Sequence, residues 1–197
     1  MQANNNLCFN FSLYFTIFAD LNAICFGDSN VIRNKEKLKH GLLSACKVIP
    51  AYNFEQLKNK IHLLDEEDTI ILHVLTNDIK DICQQDYKSD AVKERDLVVL
   101  AKKFCAICTK VTDENPNSHL YISMVPSRYD SKDQLDTADG REIVNSEIES
   151  RLGSKTNVTL IPNDIDKKYF DKGNFHYSEI GFEIMHSNWI AAIGKYE

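Results

Sequence analysis

Apolar and polar positions along this chain fall into blocks of two periods. Ala23–Phe26, Lys47–Pro50, Thr69–Leu75, His119–Val125 and Asn157–Ile161 are short runs of strand length. Thr69–Leu75 (TIILHVL) is unbroken and rich in β-branched residues, the pattern of a strand covered on both faces. Between the runs the apolar spacing turns helical. Asn30 to Cys46 carries Ile32, Leu38, Leu42 and Cys46 on a basic, polar background. Asn53 reads as a helix cap, with Gln56 three residues on and Phe54, Leu57, Ile61 and Leu64 behind it. Asp90 reads as the cap of a long helix through Val111, Ile143–Leu152 as another helix, and Ser178 as the start of a last one carrying Ile184, Met185, Trp189 and Ile193. Strands separated by helices predict a parallel sheet with helices on both faces. The expected fold class is α/β: a three-layer α/β/α sandwich on a five-stranded parallel sheet.

No repeat, charge block or linker divides the chain, so residues 21–197 read as one domain and 1–20 as an accessory segment. The run Leu7–Phe18 is apolar enough for a signal-peptide core, but no Lys or Arg precedes it, and cleavage after Ala23 would remove the first strand. It is also too short, and too interrupted by Asn and Ser, to span a bilayer. The expectation is a cytoplasmic protein without membrane attachment, with secretion as the minor alternative.

Composition narrows the function classes. With 197 residues, 43% hydrophobic and 26% charged, the mixture is that of an ordinary globular chain. Lys and Arg number 23 against 29 Asp and Glu, a formal charge of −6. That sign argues against a protein whose main task is gripping phosphate backbones, so nucleic acid is the weaker partner reading. The basic stretch with Arg33, Lys35, Lys37 and Lys39 reads as a solvated helix face. The chain is too long and too apolar to need its six cysteines as disulfide staples. Cys105 and Cys108 form a lone CxxC inside a helical pattern, without the second ligand pair a zinc site needs, and read as buried thiols. No metal and no cofactor is expected.

In a parallel sheet the reactive residues belong on the loops after the strands. The first strand run is followed by Gly27-Asp28-Ser29-Asn30, the third by Thr76-Asn77-Asp78, and the fourth by Pro126-Ser127-Arg128-Tyr129. Asn174-Phe175-His176-Tyr177 precedes the last helix. A serine, an asparagine and a histidine thus converge on one rim. A serine hydroxyl becomes a nucleophile when a base accepts its proton, and the resulting oxyanion needs oriented donors. Ser29 can attack, His176 accept the proton, and the Ser29 amide and Asn77 side chain hold the oxyanion. Taken singly, Ser29 also reads as a helix cap, Asn77 as a turn former and His176 as a surface residue. Arg128 suits a substrate carboxylate or phosphate, and equally a surface acid. Tyr52 and Tyr129 are placed at the pocket mouth, Tyr52 and Asn53 as substrate contacts, Asp28 as a structural acceptor, and His73 as a core or sheet-face residue.

FGDSN at 26–30, LTND at 75–78 and FHYSEIGF at 175–182 resemble, in order and separation, blocks I, III and V of the SGNH (GDSL-type) hydrolases. The GDSN start and LTN strand end resemble a divergent animal branch of that superfamily. The resemblance spans Ala23 to Ile193 and implies a flavodoxin-like sandwich and a serine esterase acting on a carboxylic or acetyl ester of a small molecule. It implies Ser29 as nucleophile, Asn77 as oxyanion donor and His176 as base. Three departures stand beside it. Block II normally supplies an oxyanion-hole glycine, and Pro50-Ala51-Tyr52-Asn53 has none; Leu75 stands at the block III glycine; and Gly173 stands where block V carries the aspartate that orients the histidine. Asp171 is the nearest substitute carboxylate. These departures keep a second expectation open, a catalytically silent domain using the same cleft to bind a ligand, a protein or RNA.

Overall fold

The computed structural model describes residues 22–38, 43, 45–64, 69–126, 134–172 and 176–195, with 134–139 described by backbone alone. The segment 1–20, Arg128 and Tyr129 lie outside the described residues. Five strands form the expected sheet: β1 (Ala23–Gly27), β2 (Lys47–Pro50), β3 (Thr69–His73), β4 (His119–Ser123) and β5 (Val158–Ile161). Their order is β2-β1-β3-β4-β5 and every neighbouring pair is parallel. The helices are α1 (Ser29–Arg33), α2 (Lys35–Leu38), α3 (Phe54–Lys60), α4 (Thr76–Cys83), α5 (Asp90–Glu114), α6 (Gln134–Leu152) and α7 (Glu179–Ile193).

Strand alternation sorts the core into two layers. Ile24, Phe26, Ile70, Leu72, Leu120 and Ile122 point into the layer under α3, α4, α5 and α6. Cys25, Ile71 and Tyr121 point the other way, with Val31 and Leu38 of α1 and α2 and Phe182, Met185 and Trp189 of α7. Helices therefore cover both faces, which is why the strands read as near-continuous apolar runs.

Local chemistry moves several expected boundaries. The helix expected over Asn30 to Cys46 starts at Ser29 and breaks at Asn34, whose side chain bonds back to the Asn30 carbonyl at 2.9 Å. The long helix begins at Asp90 itself, with Ser89 as its cap residue. The strand expected to run to Leu75 ends at His73, because Leu75 takes a left-handed conformation (φ 80°) that turns the chain into α4. Leucine in that region costs about 1–2 kcal/mol. The cost falls on the position where the resembling family carries glycine, and the side chain is recovered for the core, only 1% exposed.

Gly27 is required for a different reason. A Cβ built there lies 2.4 Å from the Val31 Cβ, so the first turn of α1 rests directly on the end of β1. Gly27→Ala is expected to destabilise the fold by about 2 kcal/mol through overpacking, read as a lower urea midpoint at unchanged m-value.

Candidate active site

The sheet order reverses between β1 and β3: the chain leaves β1 for β2 on one side and returns to β3 on the other. The crevice outside such a switch point is where doubly wound sheets bind ligands. Ser29 follows β1 and Asn77 lies in the first turn of α4 after β3, so both stand on its rim. Asp28, 1% exposed, caps α1 by accepting the Asn30 amide at 2.8 Å. The cap reading for Ser29 therefore falls to its neighbour. Ser29 is the first helical residue, partly exposed, with a first-turn amide that has no acceptor inside the helix.

His176 reaches this rim through its chain neighbour. The Tyr177 amide donates to Asn30 Oδ1 at 2.8 Å in a buried contact, fastening the residue after His176 to the residue after Ser29. Phe170 and Tyr177 form an antiparallel bridge, and the Asp171 amide donates to the His176 carbonyl at 2.8 Å. Asp171 is thus a cross-strand neighbour of His176. Its carboxylate lies 3.6 Å from Arg33 of α1, and Glu179 of α7 pairs with Lys37 of α2. Part of the expected basic face is consequently engaged in pinning the His176 segment and α7 against α1 and α2.

Asn77 bonds to a distant loop. Its Nδ2 donates to the Tyr52 carbonyl at 2.8 Å, using one of the two amide hydrogens. The block II stretch has also committed most of its donors. The Ala51 amide donates to the Gly27 carbonyl at 2.8 Å, the Tyr52 amide to Gln56 Oε1 at 3.1 Å and the Phe54 amide to Asp78 at 2.9 Å. Asn53 caps α3 through its side-chain oxygen, as its spacing to Gln56 predicts. Tyr52 is 37% exposed beside these contacts.

Asp78 is the carboxylate sequence reasoning passed over. Burial pushes its pKa up to about 6, against the pull of the Phe54 amide and its own. A carboxylate held above its unfolded value of about 3.9 makes the folded state bind a proton more tightly than the unfolded chain. Its contribution therefore favours folding most below about pH 4 and is lost as pH rises through about 6. Asp78→Asn, which keeps an acceptor for Phe54, is expected to be about 1–2 kcal/mol more stable than wild type at pH 7.5 and to lose that advantage at pH 4, by urea titration.

The described cysteines are free, and burial raises the thiols of Cys25 and Cys108, with Cys105 pushed up to about 11 and Cys46 to about 12. None of these four is a thiolate near neutrality, as expected for cysteines acting as small hydrophobes. Among the described residues no cluster of three His, Cys, Asp or Glu side chains could hold a metal, and no helix is long and apolar enough to cross a membrane. A groove of about 720 Å³ between α3 and α5 includes none of Ser29, Asn77 or His176 in its lining.

No protein-family model and no curated protein matches this sequence. Solved structures match it in shape. A GDSL-like lipase from Bacteroides thetaiotaomicron superposes with a TM-score of 0.63 at 11% identity, over 89% of this chain and 88% of that one. An acetylxylan esterase from Geobacillus stearothermophilus, solved as a catalytic mutant, gives 0.62 at 14% identity over 87% and 93%. A lipase/acylhydrolase from Enterococcus faecalis gives 0.58 at 14% identity over 88% and 95%. The chain has the fold of the SGNH hydrolases, as the three motif blocks imply.

Proposed function

We propose that this chain is a serine esterase acting on a small carboxylic ester, with acetyl as the acyl group. Ser29 Oγ attacks the carbonyl carbon while His176 takes its proton. The Ser29 amide and the Asn77 side chain hold the oxyanion, and His176 returns the proton to the departing alcohol. Water then cleaves the acyl-enzyme by the same path reversed. Asp171 stands in for the block V aspartate through its main-chain bond to His176, its carboxylate facing Arg33, and Tyr52 and Asn53 face the substrate. The observation that carries the reading is the buried Tyr177 N–H···Asn30 Oδ1 bond, which brings the His176 segment to the turn bearing Ser29 at the switch point. The acetylxylan esterase among the structural neighbours supports the choice of acyl group.

Purified protein is expected to hydrolyse 4-nitrophenyl acetate above the buffer rate, and Asn77→Ala to lower kcat by about 10²–10³, the cost of one oxyanion donor. A wild-type rate equal to buffer would overturn the reading. One observation favours the alternative, a catalytically silent binding domain: the amides of Ala51, Tyr52 and Phe54 are already donated within the protein, leaving a thin oxyanion hole.

A further inference from the structure

Beneath the rim, buried polar groups form a ring, open between His73 and Asp28, that the catalytic reading does not use. His73, fully buried at the end of β3, has Nδ1 2.9 Å from Ser123 Oγ at the end of β4. Asn163, 3% exposed after β5, donates through Nδ2 to Ser123 Oγ at 3.3 Å and to the Tyr177 hydroxyl at 3.0 Å. Tyr177 donates its amide to Asn30, Asn30 donates its amide to Asp28, and Asp28 Oδ1 lies 3.6 Å from His73 Nε2. The Asp28 amide also donates to the His73 carbonyl at 3.0 Å. Ser29 follows one member of this ring and precedes another, and His176 immediately precedes a third.

We infer that this ring positions the reacting pair, with His73, Ser123, Asn163 and the Tyr177 hydroxyl holding the Ser29 turn and the His176 segment in register. The inference rests on the esterase reading and supplies what the sequence lacks there, since Gly173 stands at the block V aspartate position. Asn163 donates to Ser123 Oγ, and the serine hydroxyl also meets His73 Nδ1, donating or accepting according to the imidazole tautomer. Burial lowers the His73 pKa against the opposing pull of Asp28, which favours the neutral imidazole. The Trp189 and Tyr177 rings lie with centroids 5.8 and 6.2 Å from that of the His73 imidazole. The bonds the polar ring does make favour one arrangement of the Ser29 turn and the His176 segment, and its two buried atoms without a hydrogen-bond partner among the described residues, His73 Nε2 and Asn163 Oδ1, mark where it is weakest.

The test compares Tyr177→Phe and Asn163→Leu with Val144→Ala, a cavity-forming control in the opposite core layer. Two signals are read: the His176 imidazole resonances by ¹H–¹⁵N NMR, and the rate of adduct formation with a fluorophosphonate probe. Tyr177→Phe removes one oxygen and keeps the aromatic packing, so it carries the comparison should Asn163→Leu fail to fold. Both ring variants are expected to shift the His176 resonances and slow labelling about tenfold, while Val144→Ala leaves both at wild-type values. Unshifted His176 resonances in folded Tyr177→Phe, or an equal shift in Val144→Ala, would overturn the inference. If wild type forms no adduct the esterase reading fails, and the NMR comparison still decides whether the ring positions His176.

Discussion

Ser29→Ala and His176→Ala are each expected to lower kcat for a short acyl ester by about 10⁴, and the double variant to be no worse than either single one. The non-additivity follows from the mechanism: without its base the hydroxyl is a weak nucleophile, and without its nucleophile the base has no proton to accept. KM is expected to change little, because neither side chain carries the binding of the acyl or alcohol portions. Stability is a separate control. Asp28 provides the α1 cap, so removing the Ser29 hydroxyl leaves the Asn30 amide bonded and the melting temperature close to wild type. Losses that multiply in the double variant would mean the residues act independently, contrary to a nucleophile–base pair.

Trp189→Ala is expected to be the most damaging core substitution, at about 3–5 kcal/mol. Trp189 is fully buried on α7, packed with Met185, Phe182 and Ile71, and it covers the His73 imidazole. Its loss opens a large cavity beside a polar ring whose members depend on being enclosed. Against a total stability of about 5–15 kcal/mol for a domain, that leaves the variant at the margin of folding. The chain has a single tryptophan, so its fluorescence disappears with the substitution and the urea midpoint must be followed by far-UV circular dichroism. A midpoint within experimental error of wild type would show that α7 contributes little to the core.

The layered sheet was legible because its strands are buried on both faces, and runs such as Thr69–Leu75 and His119–Val125 have no other economical reading. Their ends were not legible. Leu75 gives no sign in its side chain that its backbone turns left-handed, and that conformation is what ends β3 and creates α4, a helix the pattern did not announce. Asn53 was readable as a cap and Ser178 as a helix start because their geometry is local; each accepts an amide three residues on. The rim residues could be named from their places after strands. What joins them could not, since the Tyr177–Asn30 bond spans 147 positions and the His73–Ser123 contact spans 50. The single early hint of the buried ring was a histidine inside an apolar strand. It read as a core or sheet-face residue, and its partners are Ser123 on β4 and Asp28 just after β1.

The central claim is that Ser29 is activated by His176, and the most direct measurement is intact mass after incubation with a fluorophosphonate probe. The account predicts one covalent adduct on wild-type protein, none on Ser29→Ala and none, or a trace, on His176→Ala, with all three folded. A folded wild-type protein that gains no mass, or an adduct of equal yield on Ser29→Ala, would contradict it.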